Sequence, residues 1–269
     1  MVKPFGWDLE DATSPAWTEA RPRSGAIYSF FGTNNAAEGD PMIQPNCRAR
    51  FTGADFDFVV RTLAKSRENK VGLVELLTDI ETRDQVLDHD GLVRAVLEGP
   101  GNLTISPQFY FYILTRIVLK RAGIDDRTLT DYVGSLLEKF SQIRQMRAPV
   151  QNLETLYLSD LLLALKNASS YQTFLIRAHI GNYALFISGI FYESIESRSQ
   201  RGAPSCSFYE EMGRASFHAL ATHDVARRYE LSGLFEKLAD HFHECRLALN
   251  CLTDEFVNIG DNRFMPTFE

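Results

Sequence analysis

The feature that most constrains the fold is a run of fifteen residues without charge, AHIGNYALFISGIFY at positions 178–192. It is shorter than the roughly 20 apolar residues that a membrane-spanning helix needs. It is also flanked directly by Arg177 and Glu193 and interrupted by His179 and Asn182. On a helical wheel its apolar residues fall on opposite sides, which is typical of a helix enclosed by others. The run therefore predicts the central helix of an all-α protein.

The composition is that of a globular protein with a substantial core, with 45% hydrophobic and 23% charged residues. A formal net charge of −7 opposes non-specific attraction to nucleic acid and to anionic lipid. We expect neither binding to nucleic acid nor a membrane-spanning segment. The start MVKPFGWDLEDA lacks the basic and apolar regions of a secretory signal, so we expect a cytoplasmic protein.

Residues 1–50 are predicted to form an irregular N-terminal arm that packs on the body of the protein. This segment contains five prolines, both tryptophans and the loop-like GTNNAAEGDP, and it has no sustained helical period. Its aromatic side chains favour packing over disorder, because such side chains usually find a surface to bury against. Residues 51–269 are predicted to form the all-α domain.

The domain is predicted to be a single bundle-like body of about eight helices around a buried αα-hairpin. Ser106 followed by Pro107 predicts one helix start, and Asp125 or Asp126 predicts the next. The hairpin joins LETLYLSDLLLALK (153–166) to the charge-free helix through the short KNASS. A final long helix carries apolar residues three and four positions apart, which we expect to pack within the same chain. These are Leu231, Phe235, Leu238, Phe242, Cys245, Leu249, Leu252 and Phe256.

Hairpin geometry predicts a polar cluster of Asp160, Arg177, His179 and Asn182. A carboxylate among leucines is costly unless it is paired, and Arg177 is predicted to lie opposite Asp160. One interpretation is a buried ion pair that fixes the register of the hairpin. The other is a ligand-binding pocket in which Arg177 holds an anion and Asp160 and His179 exchange a proton.

Recognised catalytic and cofactor motifs are absent from the sequence. There is no phosphate-binding GxxxxGK[ST], no GxGxxG, no Gly-x-Ser-x-Gly and no Glu-x-x-His. The cysteines Cys47, Cys206, Cys245 and Cys251 have no CxxC spacing, so they are expected to be free thiols. No cofactor, metal site or catalytic residue is therefore predicted.

Two further patterns concern surfaces and packing. A local concentration of basic residues predicts a positive patch for a partner or a phosphate, or else an ordinary solvated face. These residues are Arg116, Lys120, Arg121, Arg127, Arg144 and Arg147. Small residues in the central helix, including Gly181 and Gly189, predict close approach of neighbouring helices.

The sequence is compatible with two classes of function, and it does not decide whether the protein is an enzyme. The first is a non-enzymatic regulatory protein that binds a protein partner or a second copy of itself through helical surfaces. The second is a ligand-binding or enzymatic bundle that uses the cluster of Asp160, Arg177, His179 and Asn182, with a small molecule as its ligand.

Overall fold

In the computed structural model, residues 43–98, 104–141 and 158–257 are described, and within these ranges the chain is all-α, with thirteen α-helices and no strand. Most of the predicted N-terminal arm, residues 1–42, lies outside the described residues, as does the start of the predicted hairpin at 153–157. The thirteen helices are α1 Gly53–Leu63, α2 Arg67–Thr78, α3 Ile80–Leu87, α4 Asp90–Glu98, α5 Pro107–Arg121, α6 Arg127–Phe140, α7 Leu158–Ala164, α8 Ser170–Ile190, α9 Tyr192–Ser199, α10 Cys206–Ala221, α11 Asp224–Arg228, α12 Ser232–Asp240 and α13 Phe242–Val257.

The described part of the N-terminal segment packs on the helices. Ile43 and Cys47 are buried, and the Cys47 sulfur lies 3.4 Å from the Ser135 hydroxyl on α6. A single 3₁₀ turn, Arg48–Arg50, follows and packs against α5. The chain thus reaches α1 from a position beside α5 and α6.

One buried carboxylate links the starts of two helices. Asp55 lies in the first turn of α1, where it forms a capping box with Thr52 and accepts a hydrogen bond from the Thr52 backbone at 2.6 Å. The same side chain accepts bonds from the backbone and hydroxyl of Ser106 at 2.6 and 2.8 Å. Ser106 caps α5 in turn, by accepting a bond from the Phe109 backbone. A fully buried charge is tolerated here because polar groups surround it.

The predicted starts of α5 and α6 are confirmed. Pro107 follows the Ser106 cap, and the helix ends before Gly123, whose φ of 84° is one that glycine adopts without strain. Asp126 caps α6 by accepting a hydrogen bond from the Leu129 backbone at 2.8 Å. The two helices pack against each other.

Helix α8 is the enclosed helix that the charge-free run predicts. From Phe174 to Ile190 every residue except Arg177 and Tyr183 is buried. The helix packs against α6, α7, α9, α10 and α13. The predicted close approach is confirmed at two glycines. A Cβ atom on Gly181 would lie 2.6 Å from the ring of Phe217, and one on Gly189 would lie 2.7 Å from Leu249.

Helix α7 packs on α8 as the predicted hairpin requires, although α7 is short. A 3₁₀ turn, Leu165–Asn167, continues it, and Ser169 then caps α8. A small apolar cluster of Leu158, Leu161, Ile176 and Ile180 joins the two helices.

The predicted final helix is two helices, α12 and α13, separated at His241. Its apolar residues from Leu231 to Leu252 are all buried, while the side chain of Phe256 lies outside the described part. Helix α12 packs on α6 and α10, and α13 packs on α5 and α8. The intramolecular interpretation of this apolar seam is therefore confirmed.

Candidate functional site

Two of the four predicted cluster residues, His179 and Asn182, are buried on α8. The Asn182 side-chain oxygen accepts a 2.8 Å hydrogen bond from the hydroxyl of Tyr132 on α6. Burial raises the pKa of Tyr132, and the bond to Asn182 offsets this only in part. The His179 ring lies between aromatic neighbours, 5.9 Å from the Phe140 ring and stacked on Tyr183 at 6.2 Å. This half of the cluster is part of the core.

The expectation that Asp160 is buried is wrong. Helix α7 turns Leu158 and Leu161 toward α8, so Asp160, one position before Leu161, falls on the outer side and is exposed. The Ser159 hydroxyl lies 3.5 Å from its carboxylate. The same helix exposes Leu163 by 61%. The leucine-rich surroundings of Asp160 in the sequence therefore do not correspond to burial in the fold.

The four residues consequently do not share one buried cluster. Arg177 is half-buried. Arg177 and Asp160 are both among the described residues, and no ion pair within 4.0 Å joins them. The structure brings His179 and Asn182 together on one helix and leaves Asp160 at the surface. Their role in ligand binding stays a prediction.

A dense group of ionisable side chains surrounds Asp88, at the end of α3. Its carboxylate accepts two hydrogen bonds from Arg116 at 2.8 and 2.9 Å and one from Lys120 at 3.2 Å. Arg127 donates two more, at 3.0 and 3.3 Å. Burial alone would raise the pKa of Asp88, but these three cations outweigh it and lower the pKa to about 2.

The same network continues to the N-terminal segment through Arg127 and Asp84. Arg127 lies 3.4 Å from Asp84, which also pairs with Arg48. Arg48 donates from its backbone and its side chain to Asp131 at 3.0 and 2.9 Å. Burial raises the pKa of Asp131 despite these bonds. The network therefore ties the N-terminal segment, α3, α5 and α6 together.

This network accounts for three residues of the predicted basic patch, Arg116, Lys120 and Arg127. Arg116 pairs with Asp125 as well as Asp88 and is only 3% exposed. The four cations of the network, Arg48, Arg116, Lys120 and Arg127, face four aspartates, Asp84, Asp88, Asp125 and Asp131. Because the charges balance, these cations hold the fold together instead of presenting a positive surface. Of the other predicted patch residues, Arg121 is exposed at the end of α5, and Arg144 and Arg147 lie outside the described residues. For these three residues the patch stays a prediction.

The sequence contains a signal for this network that the basic pattern alone does not reveal. Asp84 on α3 and Asp88, which caps the end of α3, are four residues apart, and Arg116 and Lys120 are four residues apart on α5. Residues at this spacing lie on the same face of a helix. A face with two bases is therefore a candidate partner for an acid on another element. Arg116 and Lys120 both pair with Asp88, whereas Asp84 pairs with Arg48 and Arg127.

A second polar network joins α8, α10 and α13. Glu210 accepts from Arg246 at 3.2 Å and lies 3.1 Å from the Nδ1 of His243. Arg246 also donates to Asn250 at 2.9 Å. Asn250 in turn donates to the backbone oxygens of Ser188 and Gly189 at 3.1 and 2.6 Å. These bonds satisfy carbonyl groups at the end of α8, which have no partner within the helix.

Exposed apolar side chains are concentrated on α2 and at the start of α3. Val71, Val74 and Ile80 are exposed by 61%, 48% and 64%, and Leu76 by 46%. In α2, Leu77 is buried and Leu73 packs partly against the core. An open cavity of about 360 Å³ adjoins this helix, lined by Ala54, Asp57, Val60, Arg61 and Lys70. Large apolar side chains gathered on one surface element indicate an interaction site more often than singly scattered ones do.

Three further features of the described ranges are their potential metal ligands, their thiols and their apolar helices. No group of three or more His, Cys, Asp or Glu side chains there is arranged to hold a metal ion. All four cysteines are free thiols, as predicted, and Cys251 is the exposed one among them. No single helix in these ranges has the length and apolar character needed to cross a bilayer, although α8 and α9, bent by 91°, meet both criteria as a pair.

Comparison with known proteins found no matching family model, no matching curated protein and no matching solved structure.

Proposed function

We propose that this chain is a non-enzymatic helical protein that binds a protein partner or a second copy of itself through α2 and the start of α3. The observation that supports this proposal is the exposure of Val71, Val74, Leu76 and Ile80 on two consecutive short helices. When a partner covers apolar surface that is otherwise exposed to water, the free energy of the complex is lowered. The proposal includes the cytoplasm as the compartment, because free thiols persist in reducing surroundings.

The composition of α2 also favours a helix that gains from a partner. It holds Gly72 and the β-branched Val71 and Val74 at exposed positions, and all three have lower helix propensity than alanine. A Cβ atom on Gly72 would meet nothing within 4 Å. The intrinsic helix propensity of α2 is thus low, and the helix exposes apolar side chains. This combination suits a helix that binds a partner better than one that stabilises the core.

Site-specific photo-crosslinking tests the proposal. A photoreactive amino acid replaces Val71 in the full chain, and the control chain carries it at Leu247, an exposed leucine on α13 that is outside the proposed surface. Irradiation in an extract of cells that naturally make this protein is expected to give protein adducts at position 71. Unlabelled wild-type chain should compete for them, and position 247 should give none.

Equal adduct formation at the two positions, or none at position 71, would overturn the proposal. Native mass spectrometry of the freshly purified protein supplies a second readout. A retained small molecule on a monomeric chain would favour the ligand-binding alternative, whereas our proposal expects a chain free of small molecules.

A further inference from the structure

The open cavity beside α2 forms a groove between α1 and α2. Its lining residues are Ala54, Asp57, Val60 and Arg61 of α1 and Lys70 of α2. Val60 is buried, whereas the other four are exposed. Because Lys70 and Val74 are four residues apart, they are neighbours on one face of α2. The groove therefore continues onto the exposed apolar side chains of the proposed interaction surface.

The two cations of the groove have no carboxylate partner among the described residues. The Arg61 side chain donates to the Asp57 backbone oxygen at 3.3 Å and to the Thr104 hydroxyl at 3.2 Å, and both of these acceptors are uncharged. No ion pair within 4.0 Å joins Arg61 or Lys70 to a described Asp or Glu. With Asp57 as the one acid of the lining, the groove carries an excess of positive charge.

The charges on α2 define which side of an occupant must be acidic. At 100° per residue, Lys70 borders Val71 and Val74 on the side of the groove, and Glu75 borders them on the opposite side. A complementary occupant therefore covers the valines with apolar side chains and directs carboxylates toward the groove.

One segment of this chain that lies outside the described residues has this composition. In FGWDLED, residues 5–11, Phe5, Trp7 and Leu9 alternate with Gly6, Asp8 and Glu10. An extended chain with this alternation has an apolar side and an acidic side. The other stretches outside the described residues lack the combination. WTEARPR at 17–23 contains two arginines, IYSFF at 27–31 has no charge, and 142–157 and 258–269 contain arginine.

We infer that residues 5–11 of the same chain occupy the groove and cover the exposed face of α2. The apolar side of the segment covers Val71 and Val74, and its carboxylates lie toward Arg61 and Lys70. The segment thereby occupies the surface until a partner displaces it, which makes the contact autoinhibitory. This inference rests on the proposed function and adds the regulation of the same surface.

The chain is long enough to make this contact. Residues 12–42 connect the segment to Ile43, which is buried in the core. A chain of that length spans up to about 100 Å when extended, whereas a compact body of about 220 residues is about 45 Å across. Because the segment is tethered, its local concentration is high, and a contact of modest intrinsic affinity is populated.

Photo-crosslinking of the purified chain tests the occupant. The photoreactive amino acid is again placed at position 71, with position 247 as the control. Irradiation is expected to give a product with the mass of one chain, in which position 71 is joined to a peptide from residues 1–14. Position 247 should give no crosslink to that peptide.

Tryptophan fluorescence tests the role of charge, because the only two tryptophans are Trp7 and Trp17. In a Trp17→Phe chain the emission reports on Trp7 alone. We expect emission at shorter wavelength, and weaker quenching by acrylamide, than in a synthetic peptide of residues 1–14 that carries the same Trp17→Phe change. Reversing both cations, by Arg61→Glu with Lys70→Glu, should raise the ratio of undocked to docked chains at least about tenfold.

A charge exchange separates loss of the contact from loss of the fold. Adding Asp8→Lys and Glu10→Lys to the reversed groove should return that ratio to within about threefold of the wild-type value. Lys166→Glu, at an exposed lysine in the 3₁₀ turn after α7, is the control and should leave the quenching of Trp7 unchanged.

Three results would overturn the inference. They are quenching of Trp7 equal to that in the free peptide, quenching that does not respond to reversal of the groove charges, and a crosslinked product with the mass of two chains, which would assign the surface to a second copy. In each case a photo-adduct between position 71 and a different protein in the extract would still support the proposed function. The failure of the inference and the failure of the proposed function are therefore distinguishable.

Discussion

The Tyr132 hydroxyl donates a 2.8 Å hydrogen bond to the side-chain oxygen of Asn182, joining α6 to α8 where both residues are buried. Tyr132→Phe removes the donor and leaves the Asn182 oxygen without it. We expect a loss of about 1–3 kcal/mol in the free energy of unfolding, the usual cost of a buried polar group that loses its partner. Urea unfolding followed by circular dichroism measures this loss.

The control for this substitution is Tyr229→Phe, at a tyrosine that is 60% exposed. That change should alter stability by no more than about 0.5 kcal/mol. If the two tyrosine variants unfold at the same urea concentration, the buried hydrogen bond does not stabilise the fold in the way described.

Gly181→Ala is expected to destabilise the protein, because the added methyl group would lie 2.6 Å from the buried ring of Phe217. Phe217 packs on Phe235 and Phe242, so its ring has little room to move. Overpacking of this kind typically costs about 1–3 kcal/mol. Thermal and urea unfolding measure the effect.

Gly72→Ala is the matched control and should act in the opposite direction. It places a methyl group in open space on exposed α2, where alanine gains about 1 kcal/mol over glycine in helix propensity. A destabilised Gly72→Ala variant would show that α2 is not a helix in the free protein.

Several elements of the fold could be predicted from the sequence because their causes are local. The caps at Ser106 and Asp126 depend on a short polar side chain next to a helix start. The break at His241 could not be predicted, because the apolar residues keep their three- and four-residue spacing across it. Periodicity reports which residues face the core, and it does so equally for one long helix and for two short ones in line.

The candidate site could be predicted less well from the sequence, for a related reason. The leucines around Asp160 occupy several sides of α7, so they do not reveal which side faces α8. The Asp88 network joins residues that are far apart in the sequence, 28 positions in the case of Arg116 and Asp88. Pairings of that kind follow from how the helices are arranged, which local patterns do not determine.

Acid is expected to destabilise the protein through Asp88. Its pKa is lowered from 3.8 to about 2 in the folded protein, so its contribution is fully present above pH 3.8 and is lost as the pH falls to about 2. A shift of this size corresponds to about 2 kcal/mol. Unfolding free energies measured between pH 5 and pH 2 should fall more steeply for the wild-type chain than for Asp88→Asn.

That variant should also be less stable than the wild type at pH 7, because Arg116 is buried beside position 88. Asp224→Asn serves as the control, since Asp224 is an exposed carboxylate that pairs with Arg227. It should be nearly neutral at pH 7. Identical acid profiles for Asp88→Asn and the wild type would contradict the assignment.

The four thiols are expected to differ sharply in reactivity. Cys251 is exposed, whereas Cys47, Cys206 and Cys245 are buried. Burial raises the pKa of Cys47 to about 12 and raises the pKa of Cys245 as well. Since the thiolate is the reactive form, a thiol-specific chromogenic reagent should modify one cysteine quickly and the other three only on unfolding. Cys251→Ser should abolish the fast phase, and a fast phase that survives this change would contradict the burial of the others.

The carboxylate of Asp55 serves the start of α1 and the start of α5 at once, through Thr52 and Ser106. The residue at position 55 is therefore constrained during evolution by the starts of both helices. A change to a shorter or uncharged side chain at 55 disturbs two helices that are separated in the sequence, and compensation requires new residues at both 52 and 106. Descendants of this chain are accordingly expected to keep all three positions or to exchange them as a set.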